Sequence, residues 1–499
     1  MSEISDQMKA RMEKRQKLMD MGINPYPYTY ERTHLAGDVI ENFTDLEKNG
    51  TVVRICGRLM AYRRMGKTAF ADIKDPSGRI QAVVARDIVG TKEYEMFKLL
   101  DLGDFVGIEG PLLVTRTGEK SVKVEKGVLL SKSLRPLPVP KEKKGPDGER
   151  IVFDQFKDKE TRYRQRYADL ALNDEVMEVF KKRSAIISVI RKYLAGEGFT
   201  EVETPTLQGV YGGASARPFV THHNALDIDL YLRISNELYL KRCVAGGMEK
   251  VFEFVKDFRN EGIDRTHNPE FTQLEFYEAY ADYNKMMERF ENIFSMAAQE
   301  VLGTTVLEYD GKKIDLSPPW KRMTMADAIS EFAGLDIGKM SDDRIKTELD
   351  KIGVKQEGVF MRGMAIATLF EELCEDKLIQ PVFITDHPRE TSPLCKVHRE
   401  DDTLIERFEP YINGWEIGNA YSELNDPVIQ KKCLEDQVER GRGGEDETHP
   451  MDNDFIRCME YGMPPMGGTG IGIDRMVMLF TNSDTIRDVI LFPLLKGEN

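Results

Sequence analysis

Residues 251–280 carry charged and aromatic side chains at two-residue spacing, in the string VFEFVKDFRNEGIDRTHNPEFTQLEFYEAY. Two alternating patterns flank a polar loop, residues 262–270, which predicts an antiparallel hairpin with a long tip. Alternation along the two arms gathers an arginine, two glutamates and two aromatic rings on one face, and such groups can bind a charged, planar substrate. The alternative is a solvated sheet face, which alternation by itself favours. The five residues are Arg259, Glu261, Phe271, Glu275 and Tyr277.

A second pair of glutamates, Glu409 and Glu416, flanks a Tyr-Ile-Asn-Gly turn within residues 408–426. The turn lets two carboxylates face each other across a hairpin, and hard oxygen ligands that also touch phosphates are what Mg²⁺ prefers. A solvated pair is the alternative. Three residues further along share one face, and because Glu416 has the opposite parity, a bulge is predicted near Gly418. The three are Asn419, Tyr421 and Glu423.

The C-terminal string GGTGIGIDRMVMLF, residues 467–480, joins a glycine-rich strand to an apolar helix that begins near Arg475. The glycines permit another group to approach the backbone closely. An arginine at a helix N-terminus can act together with the helix dipole on one phosphate. The sequence has no Rossmann fingerprint. A P-loop-like match at residues 61–68 precedes an alternating strand instead of a helix, so it predicts a turn.

These strings resemble known signatures. FRNEG and HNPEF, on the two sides of the hairpin tip, closely resemble motif 2 of the class II aminoacyl-tRNA synthetases, and their sequence is most like that of the lysyl-tRNA synthetases. GIDR with its apolar helix resembles motif 3. A helix capped by Asn173 or Asp174, followed by a strand with Pro205 near its end, resembles motif 1, which builds the homodimer interface in that family. The resemblance implies an α+β fold, with an N-terminal OB-type β-barrel and a class II catalytic domain whose antiparallel sheet is flanked by helices.

The resemblance also implies an ATP site. Arg259 and Arg475 are the implied catalytic residues: Arg259 would hold the α-phosphate and the amino-acid carboxylate, and Arg475 would sandwich adenine with Phe271. Glu409 and Glu416 match the family's Mg²⁺-binding glutamates. Glu261 would read the adenine edge, and two loop residues, Arg265 and His267, would meet the terminal phosphates. The implied ATP-binding set is Arg259, Glu261, Arg265, His267, Asn268, Phe271, Glu409, Glu416, Gly472 and Arg475.

A lysine pocket follows from the resemblance and from charge. An ε-ammonium that leaves water needs a buried carboxylate, because an unpaired buried ion is costly. Glu423 with Tyr277 supplies that carboxylate, whereas an aspartate or asparagine pocket would need a cation there. The lysine-binding set implied by the family is Gly213, Glu237, Arg259, Glu275, Tyr277, Asn419, Tyr421 and Glu423.

Composition and charge fit a large cytoplasmic enzyme. The chain has 499 residues, about three domain-lengths, and 41% hydrophobic residues. Residues 1–150 carry 27 Lys and Arg against 22 Asp and Glu, a net of +5, whereas the remainder carries 43 against 63, a net of −20. The positive part is where a polyanion would bind.

Six dispersed cysteines argue against a zinc knuckle or a disulfide framework. A charged N-terminal segment and the lack of long apolar runs predict a cytoplasmic, membrane-free protein.

Residues 51–131 read as short strands separated by glycine turns, which suggests a small OB-type barrel that handles single-stranded nucleic acid. Parity turns Phe70 outward near Gln81, a pairing suited to stacking on a base and reading its edge, although a lone exposed phenylalanine is more often incidental. The anticodon-binding set implied by the resemblance is Arg58, Phe70, Gln81 and Glu119. The predicted organisation is an N-terminal helical extension (1–45), an OB-fold anticodon-binding domain (46–135), a linker (136–155) and a class II catalytic domain (156–499) with a helical insertion near 325–380.

The implied activity is that of a lysine–tRNA ligase. Lysine would react with ATP to give lysyl-adenylate and pyrophosphate, and the 3′-hydroxyl of tRNA(Lys) would then take the lysyl group. Positioning and charge stabilisation would supply most of the catalysis. The predicted partners are L-lysine, ATP with Mg²⁺, tRNA(Lys), and a second copy of the chain bound through the motif 1 helix and strand. Two alternatives stay open: an aspartyl- or asparaginyl-tRNA synthetase, and a catalytically inactive synthetase-like RNA-binding protein.

Overall fold

The structure is a computed structural model that describes residues 5–139, 141–144, 150–153, 156–354, 360–442 and 448–497. The chain divides into two compact units, Met1–Lys157 and Asp158–Asn499, called here the N-terminal and the C-terminal unit. The predicted linker, residues 136–155, lies partly outside the described residues. None of the helices in the described ranges has the length and apolar run that a membrane crossing requires.

The N-terminal unit begins with helices and continues as a barrel of strands. Its first helix begins after Ser5, whose side chain accepts a hydrogen bond from the Met8 backbone N–H. The elements are α1 (Asp6–Asp20), α2 (Ala36–Glu41), α3 (Phe43–Lys48), β1 (Val52–Met65), β2 (Thr68–Asp75), β3 (Gly78–Ala85), α4 (Arg86–Val89), α5 (Thr91–Lys98), β4 (Phe105–Val114), β5 (Lys120–Val124), β6 (Lys126–Ser131), β7 (Lys141–Lys144) and β8 (Arg150–Phe153).

Strand pairing closes this sheet into a barrel. β1 pairs antiparallel with both β2 and β4, so the order β1-β2-β3-β5-β4 returns to its start, and β6 adds to β4. Alternate apolar residues fill the interior, among them Ala69, Ala71 and Ile73 of β2. The predicted OB-type barrel is confirmed. Residues 66–67 form the turn between β1 and β2, so the P-loop-like string is not a phosphate loop.

The C-terminal unit is built on one large sheet with helices on both sides. Its elements are α6 (Lys159–Arg164), α7 (Arg166–Leu172), α8 (Asp174–Gly196), β9 (Thr200–Glu201), β10 (Leu207–Gln208), β11 (Val220–His223), β12 (Ile228–Leu232), α9 (Glu237–Ala245), β13 (Lys250–Phe258), β14 (Glu270–Ala279), α10 (Tyr283–Leu302), β15 (Val306–Tyr309), β16 (Lys312–Asp315), β17 (Lys321–Thr324), α11 (Met325–Ala333), α12 (Asp342–Lys351), α13 (Arg362–Cys374), β18 (Val382–Pro388), β19 (Leu404–Ile412), β20 (Trp415–Glu416), β21 (Gly418–Ser422), α14 (Pro427–Arg442), α15 (Asn453–Glu460), β22 (Met466–Gly472), α16 (Ile473–Thr481) and α17 (Ile486–Val489), with short 3₁₀ turns at Ile337–Lys339, Glu375–Lys377 and Arg389–Thr391.

The order of this sheet is β17-β18-β19-β21-β22-β14-β13-β9, and β20 pairs with β19. The pairs at the two edges, β17–β18 and β13–β9, are parallel, and the inner pairs are antiparallel. On one face Leu274 and Phe276 of β14 join a core with Ile190 of α8 and Phe290 and Phe294 of α10. The other face of the inner strands is therefore left for polar side chains.

The β19–β20–β21 region contains the predicted bulge. Tyr411 pairs with Glu416, whereas Phe408 pairs with Ala420, so one extra residue is inserted on the later strand between these two pairs. This one-residue shift confirms the bulge expected near Gly418. It lets Glu416 and Asn419 both face the same side of the sheet although their separation is an odd number of residues.

Three local predictions differ from the structure. The first hairpin arm, β13, ends at Phe258, so Arg259 and Glu261 belong to the tip and strand parity does not place them. The motif 1 strand is reduced to the two-residue strands β9 and β10, with Pro205 between them. Asn173 occupies the N-cap of α8, but its side-chain amide donates to Asp169 Oδ1 at 2.7 Å instead of capping the helix.

Candidate active site

A cavity of about 500 Å³ lies on the polar face of the large sheet. Its floor is a cross-strand row: Tyr277 of β14 pairs with Gly468 of β22, which pairs with Tyr421 of β21. One step along, Glu275 pairs with Gly470, which pairs with Asn419. Directly opposed residues on one face are close neighbours, so the register itself assembles these side chains.

The glycines of β22 create the space for that row. A Cβ atom at Gly468 would lie 2.1 Å from Glu423 Oε1 and 2.3 Å from Tyr277 Cε1, and one at Gly470 would lie 2.7 Å from Gln273 Nε2. Side chains from the strands on both sides therefore lean across β22. The close backbone approach that the glycine-rich string predicts is provided here to neighbouring side chains.

Most of the predicted site residues line this one cavity. Of the ATP- and lysine-binding residues predicted in the C-terminal unit, Arg265 and Glu423 are absent from the lining of the cavity. The predicted residues that do line it are Gly213, Glu237, Arg259, Glu261, His267, Asn268, Phe271, Glu275, Tyr277, Glu409, Glu416, Asn419, Tyr421, Gly472 and Arg475.

Arg259 is positioned by the hairpin tip. Its backbone N–H donates to Pro269 O at 2.9 Å, which extends the strand pairing past the end of β13. The guanidinium lies 5.0 Å from the centre of the Phe271 ring, and its buried Nε has no hydrogen-bond partner among the described residues. Behind it, burial raises the pKa of Asp257 to about 7, with Arg233 Nε 3.5 Å from Asp257 Oδ1. Because Arg259 also lines the cavity, its guanidinium is suited to bind an anion there.

The hairpin tip and the start of α16 meet at Arg475. One guanidinium nitrogen, Nη2, lies 3.0 Å from His267 Nε2, and Nη1 donates to the Glu416 backbone O at 2.5 Å. His267 is held by Asp264, whose Oδ2 lies 2.7 Å from Nδ1. Asp474 fixes the helix start, because its Oδ2 accepts from the Thr272 N–H at 2.6 Å. A histidine and an arginine are thereby held side by side at the cavity wall.

Arg265 points to a different place from the one predicted. Its Nε donates to Asp484 O at 2.6 Å, and the guanidinium lies 5.8 Å from the centre of the Trp415 ring. It lines a neighbouring depression together with Asp484 and Lys159. These contacts hold the side chain away from the main cavity, so in this conformation Arg265 does not reach the site with His267.

Glu409 and Glu416 lie in a carboxylate-rich corner. Glu409 accepts hydrogen bonds from Arg407 Nη2 at 2.5 Å and from the Tyr411 hydroxyl at 2.9 Å. Burial, together with the charge of Glu409, raises the pKa of Glu416, and burial raises the pKa of Glu375 to about 7. Excess negative charge of this kind is relieved by a cation. Mg²⁺ is commonly held by one or two carboxylates plus substrate phosphates, and these two glutamates fit that donor set.

The far end of the cavity holds a hydrogen-bonded set of carboxylates. Glu275 accepts from the Ser235 hydroxyl at 2.9 Å and from the Tyr277 hydroxyl at 3.0 Å. Glu237 accepts from the Tyr421 hydroxyl at 2.5 Å. Burial, followed by the neighbouring negative charges, raises the pKa of Glu275 well above its ordinary value. Such groups favour a cationic ligand, which would stabilise their charged forms.

Glu423 lies one layer behind this wall. It is 1% exposed, and its Oε2 forms an ion pair with the ammonium of Lys241, which also donates to Glu237 Oε1 at 2.5 Å. The Lys241–Glu423 contact has the geometry of an ion pair and not of a directed hydrogen bond, and Oε1 has no hydrogen-bond donor among the described residues. The Tyr277 hydroxyl donates to Glu275 and not to Glu423.

Several residues around the cavity were not foreseen. Ser235 orients Glu275, Arg407 holds both Glu409 and the Asn419 side chain, and Lys241 bridges two carboxylates. The helical insertion, to which the sequence assigned no chemistry, contributes Met364 and Glu371 to the wall. Strand alternation could have identified one of these residues, because Arg407 is two residues from Glu409 and therefore lies on the same face of the strand.

In the N-terminal unit the predicted anticodon residues share the outside of the barrel. Phe70 and Gln81 lie on one face of the β2–β3 pair, because Phe70 pairs with Val83 and Asp72 with Gln81. The Ser121 hydroxyl lies 3.0 Å from Gln81 Oε1 and 3.2 Å from the Glu119 backbone O. The fourth residue, Arg58, stacks over Phe105 at 4.3 Å and donates to Gly103 O at 3.1 Å.

Comparison with known proteins agrees with this architecture. Residues 158–496 match the family described as tRNA synthetases class II (D, K and N), and residues 53–130 match the OB-fold nucleic acid binding domain. The first match places the C-terminal unit in the class II tRNA synthetases, with a sheet that is mixed and not wholly antiparallel as predicted.

Curated relatives match over nearly the whole chain. A lysine–tRNA ligase of Pelotomaculum thermopropionicum is 52% identical over 99% of this chain and 96% of its own length. Others from Thermoanaerobacter sp. (strain X514) and Clostridium novyi are each 49% identical, over 100% and 99% of this chain and 97% and 95% of their own lengths. The chain belongs to the lysine–tRNA ligase family.

Proposed function

We propose that this chain activates L-lysine with ATP and transfers the lysyl group to the 3′ end of tRNA(Lys). The observation that carries the proposal is the single cavity in which an anion-binding end, with Arg259 and Arg475, continues into an end lined by buried carboxylates. ATP and lysine require those two kinds of surface side by side. Relatives named lysine–tRNA ligase, about half identical over the full length, support the same activity.

In the first step the lysine carboxylate attacks the α-phosphorus and pyrophosphate leaves. Arg259, which lines the cavity, would bridge the attacking carboxylate and the α-phosphate. Its stacking on Phe271 would restrict the guanidinium while adenine occupies the other side of that ring, below Arg475. His267, beside Arg475, would contact the terminal phosphates. Arg265 would have to leave Asp484 to join it.

Glu409 and Glu416 would hold Mg²⁺. When bound, the ion would neutralise phosphate charge as pyrophosphate leaves. Arg407 and the Tyr411 hydroxyl fix the Glu409 carboxylate in place. No group of three or more histidine, cysteine or acidic side chains in the described ranges could hold a metal by itself. Two carboxylates would leave positions on the ion for the substrate's phosphates, as is common for Mg²⁺.

Selectivity for lysine would come from the carboxylate end. Glu275 and Glu237 would bind the α-ammonium beside Gly213, and Glu423 would attract the ε-ammonium from behind Tyr277 and Gly468. Gly213 has φ +87°, and a Cβ there would lie 2.7 Å from the Ser235 hydroxyl, so a side chain at this position would close the pocket. The carboxylates at this end of the cavity would repel the side chain of aspartate, which disfavours the aspartyl alternative. Arg259 and Arg475 are both present for phosphate binding, which disfavours an inactive protein.

Two further roles belong to the same proposal. Phe70, Gln81, Glu119 and Arg58 on the barrel would read the anticodon, with the boundaries 1–45, 46–135, 136–155 and 156–499 for the parts of the chain. A homodimer would form through α8 and the strands that follow it, where Leu207, Val220 and Ile228 are exposed apolar residues. Six free cysteines support a reducing, cytoplasmic location.

Amino-acid-dependent exchange between ATP and pyrophosphate tests the activity. Each of the twenty amino acids is supplied separately with Mg²⁺, and transfer to tRNA(Lys) is measured afterwards. We expect exchange with lysine and very little with aspartate or asparagine. Exchange that depends on aspartate or asparagine would identify the first alternative, and no exchange with any amino acid would identify the inactive RNA-binding protein.

A further inference from the structure

Lys241 is a fully buried lysine that the proposed reaction does not use. It lies on α9 one turn after Glu237, and its ammonium bridges Glu237 Oε1, at 2.5 Å, and Glu423 Oε2. The ring of Tyr421 lies 5.4 Å from the same ammonium. Burial opposes the charged form, but the two carboxylates outweigh it and raise the pKa of Lys241 above its ordinary value. Lys241 is therefore a permanent cation at the lysine end of the cavity.

The charges around this cation are unbalanced in a specific way. Three buried carboxylates, Glu237, Glu275 and Glu423, surround the lysine end of the cavity, and Lys241 matches one of them. Two carboxylates are left without a matching internal cation, and bound ammonium groups would hold them in their charged forms. Free lysine carries two ammonium groups, and its carboxylate has a separate partner in Arg259 under the proposed function. The pocket with Lys241 in place is thus electrically complementary to the two ammonium groups of the substrate.

We propose that Lys241 is a fixed internal counter-ion, a positioning residue that sets the number of unmatched carboxylates in the pocket to two and so matches it to lysine. The inference rests on the proposed function and names a determinant of its selectivity. Lys241 lies behind the cavity lining and does not contact the substrate. It acts through Glu237 and Glu423, whose carboxylates it holds and partly neutralises.

Removing this cation makes lysine binding depend on protons. Without Lys241, three buried carboxylates face one another, and one of them takes up a proton because close like charges cannot all ionise. That proton must leave when the two ammonium groups bind. Lysine affinity then rises with pH, by up to about tenfold per pH unit more than in the native protein, until the carboxylate is ionised without lysine.

Other titratable groups face the same cluster, and their side chains are present in every variant. Tyr421 and Cys395 interact with Glu237 and Glu423. Tyr277 and Asp257 neighbour Glu275. His449 is a buried histidine whose pKa is lowered to about 4 by burial and by the positive charge of Lys241. Lys241→Met and a charge-compensated pair with Glu237→Gln both remove the charge near His449, so the difference between these two variants excludes any change at His449. Each KM is expressed as a ratio to the native value at the same pH.

The test compares native protein, Lys241→Met, Lys241→Arg and the charge-compensated pair Lys241→Met with Glu237→Gln. Lysine KM and ATP KM are measured by pyrophosphate exchange from pH 6.5 to 8.5. For Lys241→Met we expect a lysine KM that falls up to tenfold per pH unit relative to the native protein, with an ATP KM ratio that does not change with pH. Lys241→Arg and the compensated pair should follow the native pH dependence.

The outcomes separate this inference from the proposed function. A lysine KM that Lys241→Met raises equally at every pH would overturn the inference, since the residue would then be merely structural. If that variant does not fold, the compensated pair decides: folding with native pH dependence supports the inference, and a dependence that differs by one proton overturns it. Absence of lysine-dependent exchange by the native protein would instead remove the proposed function.

Discussion

Replacing Arg259 by alanine removes a guanidinium from the cavity lining, where the proposed function has it contact the reacting groups. The structure gives this side chain no competing duty at Nε, which is buried and has no hydrogen-bond partner among the described residues. Its other contact, with the Phe271 ring at 5.0 Å, orients it without consuming a donor. Because Arg259 lines the cavity that the proposed substrates would occupy, loss of its guanidinium should appear in the chemical step.

The size of the effect follows from the number of donors lost. Removing one preorganised donor to a developing charge typically costs about 10² to 10³ in kcat, or about 3 to 4 kcal/mol. Arg259→Ala removes a bidentate, charged group, so we expect at least about 10²-fold slower adenylate formation. Arg259→Lys keeps the charge but loses the planar fork, and we expect its rate to fall between native and alanine.

Single-turnover formation of lysyl-adenylate measures that step apart from product release. ATP and lysine KM values are recorded for both variants, and folding is checked by circular dichroism. A rate for Arg259→Ala within a factor of three of native would refute the reasoning. So would equal rates for the alanine and lysine variants, because the guanidinium geometry would then contribute nothing.

Three other predictions concern different parts of the molecule. Phe70→Ala should weaken tRNA binding by about 1 to 3 kcal/mol while lysine-dependent exchange survives; an equal loss of exchange would contradict the separation of roles between the two units. Glu423→Gln should raise lysine KM roughly 30-fold or more, corresponding to about 2 kcal/mol or above, and should affect a neutral isostere of lysine much less; equal losses would mean that Glu423 only shapes the pocket. Asp257→Asn should gain stability relative to the native protein by about 1.4 kcal/mol per pH unit between pH 4 and 7. The folded-state pKa of Asp257 is raised to about 7, so the native fold holds a proton that the unfolded chain releases, and native stability is lost as the pH rises through that range. Urea midpoints of both proteins across this range measure the difference, and parallel pH dependence would contradict the raised pKa.

Alternation predicted the site most successfully where strands are regular. The inward set of β14 and the outward position of Phe70 on β2 follow from a period of two, and the structure places these side chains accordingly. Odd spacing between Glu416 and Asn419 also predicted the bulge, because both had to face one cavity. In these segments the local pattern and the tertiary contacts agree, so sequence reasoning was sufficient.

Sequence reasoning was least successful in predicting the binding partners of long charged side chains. The position of Arg265 in the motif 2 loop predicted a phosphate contact. Its guanidinium instead binds Asp484 O and stacks near Trp415, residues more than a hundred positions away in sequence. Lys241 lies on a helix whose pattern suggests only packing. Its partner Glu423 comes from the far side of β22, and no local signal connects the two. Long-range partners of this kind are set by the assembled sheet.

The glycines of β22 explain why such distant partners meet. β22 lies between β14 and β21, both of which carry large side chains on the cavity face. A Cβ at Gly468 would overlap both Tyr277 and Glu423, so any side chain there would drive the tyrosine and the carboxylate apart. With hydrogen atoms at that position, Glu423 can lie behind Tyr277 and within reach of Lys241 on the helix beyond. The charge at this end of the cavity therefore depends on a strand that contributes no charged side chain to it. If lysine binds there as proposed, substrate preference would depend on backbone space as well as on the ionised groups.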